Sequence, residues 1–264
     1  MPGKQYIFLL MLMLSISSCK KDTGLSGNGG HMKEQGLPAP PEEVNHSNVF
    51  IVDFFSTLED DGDFFEKRDI SMASRHIREQ SGKRPLIYMF DRADFTVGNS
   101  HPLNRMSYDI GIFQFFAQHQ TTGASLIQGT GIATYYPISK YDGFAGGGTF
   151  MSGCTIQVPL TTVTQIVFYT TKIETVSQLE EIGQAKSVVL SGDAVIIGSV
   201  KNDVKPEVLD HIEKKMSLRA FSYGSDNTVT DLLVVVPASY VCRSVESGST
   251  ANLPYYRISI EKWM

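Results

Sequence analysis

Apolar positions fall into three regimes along the chain. Tyr6 to Leu14 is an unbroken apolar run. Residues 20–47 are then polar and rich in Gly, Pro, Ser and Lys. Such a stretch buries too little apolar surface to order itself, which predicts a tether. From Asn48 on, short apolar runs and helical spacings alternate between turn residues. Asn48–Phe55 predicts a strand. Ile70, Ala73 and Ile77 share one face of a helix over Phe64–Gln80, with Gly82 as its stop. Pro85–Phe90, Asp109–Gln118, Gly131–Tyr136, Thr149–Val158 and Gln165–Thr171 predict strands. Val176, Leu179 and Ile182 space a helix over Val176–Ala185. Ser187–Ser191 and Ala194–Val200 read as strands or strand edges. Pro206–Met216 predicts a helix with Pro in its first turn and Val208, Leu209, Ile212 and Met216 inward. Thr230–Val236 and Tyr255–Ile260 complete the strands. No fixed-period repeat and no second linker interrupt this pattern, so residues 48–264 form one α+β domain with two packed sheets flanked by helices.

The first apolar run is too short to span a hydrocarbon core, which takes about 20 helical residues. Lys4 precedes it, and Ile16-Ser17-Ser18 narrows to small side chains before Cys19. This resembles the signal peptide and lipobox of bacterial lipoproteins. The resemblance implies removal of residues 1–18 and lipidation of Cys19, with residues 19–47 as the lipidated tether. Several acyl chains make such an anchor durable. The implied partner is membrane lipid, and the implied location is the cell envelope, with the outer membrane expected and the domain outside the cytoplasm.

Composition narrows the function. A hydrophobic content of 42% and an aromatic content of 10% suit a globular core. The net charge of −5 offers no basic stripe, so no nucleic-acid partner is expected. Cys154 and Cys242 are the other cysteines. An oxidising compartment permits a disulfide between them, and two buried free thiols are the alternative.

Several blocks in order carry a family resemblance. Gly131-Ile132-Ala133-Thr134-Tyr135-Tyr136-Pro137-Ile138 is followed by Val167-Phe168-Tyr169-Thr170-Thr171-Lys172-Ile173-Glu174-Thr175. Gln178-Leu179, Val188-Val189-Leu190-Ser191-Gly192-Asp193 and Thr230-Asp231-Leu232-Leu233-Val234-Val235 come next. Together they resemble the endonuclease/exonuclease/phosphatase superfamily over residues 48–264. The resemblance implies a DNase I-like four-layer α/β/β/α sandwich with two mostly antiparallel sheets. It also implies hydrolysis of phosphate esters with Mg²⁺ held by oxygen ligands.

The residues that should carry that chemistry depart from the pattern. Lys172 stands where the first histidine is expected, and Val195 where an asparagine should follow Asp193. Asn252-Leu253-Pro254-Tyr255 has neither acid nor histidine where an Asp-His pair is expected. Val52-Asp53-Phe54-Phe55 gives no clear match to the first-strand asparagine. Asp91 falls where a metal-binding glutamate should close its strand, with Arg92 beside it as a competing cation. Asp231 matches an aspartate that would orient a histidine, but that histidine is missing. Lys172 could attract an anion, yet it cannot shuttle a proton near pH 7 without a strongly depressed pKa. The candidates are therefore Asp91, Lys172, Asp193 and Asp231, in a domain expected to bind rather than turn over. No cofactor is expected on this reading. Mg²⁺ enters only under the alternative, a phosphodiesterase or phosphatase with a rebuilt site.

Other constellations are weaker. Glu59-Asp60-Asp61-Gly62-Asp63 lacks EF-hand spacing and reads as an acidic loop before the helix. Gly146-Gly147-Gly148 reads as a hairpin turn. The six histidines are scattered, so His76 and His211 are expected in solvated or capping roles. Tyr135-Tyr136 and Tyr255-Tyr256 could offer platforms for sugar, although core or edge packing is their commoner use. The expected partner of the domain is thus a protein or a glycan.

Overall fold

The computed structural model describes residues 48–56, 58–60, 68–80, 87–96, 103, 113–119, 126–146, 149–185, 194–216, 218–224, 229–250 and 253–263. These residues form two mixed sheets and three helices. The first sheet contains β1 (Val49–Phe55), β2 (Leu58–Asp60), β3 (Ile87–Thr96), β4 (Phe113–His119), β5 (Leu126–Thr134), β12 (Tyr240–Thr250) and β13 (Leu253–Lys262). Its order is β12-β13-β1-β3-β5-β4, with β2 beside β3. The second sheet contains β6 (Ile138–Gly146), β7 (Thr149–Pro159), β8 (Val163–Ile173), β9 (Ala194–Lys201), β10 (Arg219–Tyr223) and β11 (Thr230–Val236). Its order is β10-β11-β9-β8-β7-β6. The helices are α1 (Arg68–Gln80), α2 (Val176–Ala185) and α3 (Lys205–Lys215).

Most neighbouring strands run antiparallel. The exceptions are β1 with β3, β2 with β3, and β8 with β9. A parallel pair requires a long crossover. Helix α1 lies in the β1-to-β3 connection and α2 in the β8-to-β9 connection.

Strand parity builds the layers. On β9, Val195 and Ile197 join the apolar cluster between the sheets, while Ala194, Ile196 and Val200 join a second cluster with α2 and α3. On β11, Leu232 and Val234 face the first cluster, and Leu233 and Val235 face the second. Alternate residues on these strands thus meet two apolar environments, which explains their near-continuous hydrophobicity. From the facing sheet, Phe50 meets Phe168 edge-on at 5.5 Å between ring centroids. On β1, Asp53 and Phe55 point away from that interface toward His76 of α1. The layers are therefore α1, first sheet, second sheet, and α2 with α3, as expected.

Several elements differ from those expected. Helix α1 is described from Arg68, and residues 64–67 lie outside the described residues. Glu59 and Asp60 belong to β2 rather than to an acidic loop, because they pair with Asp94 and Phe95. Strands β6, β10 and β12 were not expected. The hairpin at the three glycines is supported by pairing of Gly146 with Thr149, while Gly147 and Gly148 lie outside the described residues. The Ser187–Ser191 segment also lies outside them. The disulfide option falls, since Cys154 and Cys242 are free thiols. Cys154 is buried on β7 of the second sheet, and Cys242 is half-buried on β12, an edge strand of the first. Burial pushes the Cys154 thiol up to about 12, so it is an inert core group.

Candidate functional site

The candidate residues gather where several inner strands reach the same end of the sandwich. On β3, Met89 lies opposite Phe54. Asp91 lies two residues further along, inside a register shift between Phe90 and Ala93. Such bulges re-aim side chains. On the second sheet Lys172 pairs in register with Ser199. Both share the strand parity of Phe168 and Val195, which belong to the inter-sheet cluster. Asp231 pairs with Val200, the next residue along β9. Asp91, Lys172 and Asp231 are therefore brought to one end of the sheets, but Asp231 has the parity of Leu233 and Val235, on the α3 side of the second sheet. Asp193 lies outside the described residues.

Asp91 bridges the two sheets. Its Oδ2 is hydrogen-bonded to the Ser199 hydroxyl, and both residues are buried. Ser199 was not anticipated. Its only sequence signal is one polar residue in an otherwise apolar strand. Burial pushes the Asp91 carboxyl up to about 8, against partial opposition from the Ser199 hydrogen bond and the Lys172 charge. A second polar link joins the sheets nearby. The Ser152 hydroxyl donates to the Thr130 carbonyl at 2.6 Å, and the Thr130 hydroxyl donates to Ser152 Oγ at 2.9 Å. Among the described residues, Asp91 Oδ1 and Thr170 Oγ1 are buried without a hydrogen-bond partner. Polar groups thus replace apolar packing at this end of the inter-sheet layer.

The lysines at this end are engaged. Lys172 Nζ lies 2.7 Å from Glu174 Oε1, Lys201 Nζ 2.6 Å from Asp203 Oδ2, and Lys205 Nζ 2.5 Å from Asp231 Oδ2. Asp231 therefore holds a lysine of α3 where a histidine partner had been sought. The backbone of Gly224 lies against the same carboxylate, since a Cβ there would come within 1.9 Å of Asp231 Oδ1.

A hard divalent cation needs several convergent oxygen ligands. Among the described residues no group of three His, Cys, Asp or Glu side chains is placed to hold a metal. The polar side chains bearing on Asp91 are Ser199, Lys172 and Arg92, which do not complete such a set. The described residues therefore do not fit the Mg²⁺ that the fold's usual chemistry employs.

Asp53 cannot substitute, because it faces the other way. Its carboxylate accepts from Arg257 Nε and Nη2, both at 2.9 Å, and lies 2.6 Å from His76 Nε2. His76 is buried, which corrects the expectation of a solvated or capping histidine. Tyr255 packs against it at a tilt, with ring centroids 4.5 Å apart, and covers Gly248, where a Cβ would meet the ring at 2.5 Å. Tyr255 is thus a packing residue. Tyr135 and Tyr136 are also buried. Only Tyr256 of the two tyrosine pairs turns to the open end. It pairs with Phe54 across β1 and meets Tyr223 of the other sheet edge-on at 5.7 Å.

No described protein family matches the sequence. No curated protein matches it either. Solved structures do. An endonuclease/exonuclease/phosphatase family protein from Leptotrichia buccalis superposes with a TM-score of 0.58 at 8% identity, covering 81% of this chain and 100% of that one. The endonuclease/exonuclease/phosphatase from Bacteroides vulgatus gives 0.55 at 7% identity, covering 82% and 99%. At such identities the likeness is one of fold. Two packed mixed sheets, flanking helices and these neighbours together give the chain the DNase I-like fold of the endonuclease/exonuclease/phosphatase proteins.

Proposed function

We propose that this chain is a lipid-anchored envelope protein whose DNase I-like domain binds a ligand and does not hydrolyse phosphate esters. One observation carries the non-catalytic part. The carboxylate at the metal-ligand place, Asp91, is buried against Ser199, and each neighbouring lysine is already paired with an acid. Metal-assisted phosphoryl hydrolysis needs a cation that clamps the phosphate and activates water. A histidine proton carrier is also missing at position 172. The anchor rests on the apolar run and small residues before Cys19, which lie outside the described residues. Among the described residues no helix is long and apolar enough to cross a membrane.

The rival reading is a metal-dependent phosphodiesterase or phosphatase with a rebuilt site. It needs oxygen ligands beyond Asp91, and Asp193 is the remaining candidate. Incubation of the full chain with bis-p-nitrophenyl phosphate and p-nitrophenyl phosphate, each with Mg²⁺ or Mn²⁺, separates the two. Release of nitrophenolate should stay at the protein-free rate. Metal-dependent release that disappears in Asp91→Asn or Asp193→Ala would establish the enzyme reading instead.

A further inference from the structure

The open end of the sandwich carries a compact mixed cluster that the absence of phosphate chemistry leaves unexplained. Tyr223 lies on β10 opposite Leu232, so it shares the inner face of the second sheet. That strand is the sheet's edge, which leaves Tyr223 44% exposed. Phe221, two residues earlier on the same face, is 41% exposed. Tyr256 comes from the facing sheet and meets Tyr223 at an interplanar angle of 80°. The two rings pack edge to face, and Tyr223 keeps its outer side exposed. Gly224 follows Tyr223 directly and lies against Asp231, which in turn holds Lys205. This ion pair lies close to Tyr256, with the Asp231 carboxylate buried and holding the partly exposed Lys205. Lys205 remains partly exposed, at 31% of its side chain.

The chemistry of this cluster selects a ligand class. An exposed aromatic face stacks on a flat apolar surface. The exposed part of the Lys205 ammonium, oriented by the buried Asp231, can donate charge-assisted hydrogen bonds to hydroxyls. A neutral sugar ring presents both, a C–H face and a rim of hydroxyls. A phosphate-bearing ligand fits poorly, because Lys172, Lys201 and Lys205 are each neutralised by a carboxylate. The chain's net charge of −5 opposes a polyanion as well.

We infer that Tyr223, Tyr256 and the Lys205–Asp231 pair form a binding site for a neutral carbohydrate at the open end of the sandwich. This inference rests on the non-catalytic binding reading and names its ligand class. Affinity electrophoresis of the full chain in native gels containing soluble starch, xyloglucan, galactomannan or laminarin tests it. Heparin gels and a single-stranded oligonucleotide serve as anionic probes. Retardation is expected in at least one neutral polysaccharide, weakened ten-fold or more in Tyr223→Ala. Tyr223 is half-exposed, so its loss should leave folding intact, which a thermal melt verifies. Tyr141→Ala, at an exposed tyrosine of the opposite edge strand, should bind as the parent does. Retardation in none of the neutral gels overturns the inference, as does retardation that Tyr223→Ala leaves unchanged or binding to the anionic probes alone. Nitrophenolate release in the assay above would instead overturn the non-catalytic reading itself, so the two failures are distinguishable.

Discussion

A chain carrying Asp91→Asn should be more stable than its parent at pH 8 and should lose the parent's decline in stability between about pH 4 and pH 8. The sign follows from the direction of the shift. Burial raises the Asp91 carboxyl from 3.8 to about 8 in the folded chain. Between those values the folded chain holds a proton that the unfolded chain releases. Stability therefore falls as pH rises, by up to about 1.4 kcal/mol per pH unit from this one group. Below the unfolded value both states are protonated and the contribution is flat. Above the folded value the full penalty of a buried carboxylate is present. This runs opposite to a salt-bridged aspartate, whose stabilisation is lost as pH falls. Asparagine keeps the shape and an oxygen that accepts from Ser199, but it does not titrate. Urea unfolding of both proteins at pH 5 and pH 8 isolates the Asp91 contribution as the difference of differences. Parallel slopes would mean that Asp91 is ionised in the fold, as a metal ligand must be.

Asp53→Ala should cost about 3–5 kcal/mol, because it strips the shared acceptor from two cations or donors that stay behind. Asp53 is fully buried and joins Arg257 of β13 to His76 of α1. Its loss leaves the Arg257 guanidinium unpaired under α1 and removes the partner of a buried imidazole. The same change at an exposed pair should do almost nothing. Arg75 and Glu79 lie one helical turn apart on α1, both largely in solvent. Urea midpoints of Asp53→Ala and Arg75→Ala should therefore differ widely. Equal midpoints would show that the network contributes no more than a surface pair.

The two-sheet architecture was legible wherever a strand is buried on both faces. Ala194–Val200 and Thr230–Val236 are central strands, and their apolar runs are covered by the facing sheet on one side and by α2 and α3 on the other. Strands β6, β10 and β12 were invisible for the complementary reason. All three are sheet edges, and most of their described residues are exposed or half-buried. Tyr240–Thr250 therefore reads as YVCRSVESGST, with polar side chains and no two-fold apolar period. The site was legible in part. Lys172 and Asp231 lie within the family blocks, and strand pairing brings them to the end that holds Asp91. The blocks could not reveal Ser199, whose role depends on a partner 108 positions away in the chain. Nor could they show that Asp53 points outward, because the single-residue parity of β1 decides it. The two tyrosine pairs looked alike in sequence, and parity separates them too, sending Tyr255 to pack on His76 and Tyr256 to the open end.

The departures share a physical direction. Among the described candidates, Asp91 is buried against Ser199, Lys172 is paired with Glu174, and Asp231 is paired with Lys205. The fold tolerates this because its stability comes from the inter-sheet core and the layer under α2 and α3, not from the open end.

Divalent-ion binding by the full chain tests the account most directly. Calorimetric titration with Mn²⁺ and Mg²⁺, alongside melting temperatures at millimolar ion, reads occupancy without requiring a substrate. A site filled at a hundred times its dissociation constant would stabilise the fold by about 2.7 kcal/mol, which a melt detects easily. The account predicts no saturable heat and an unchanged melting temperature. A saturable isotherm and a raised melting temperature, both lost in Asp91→Asn, would contradict it.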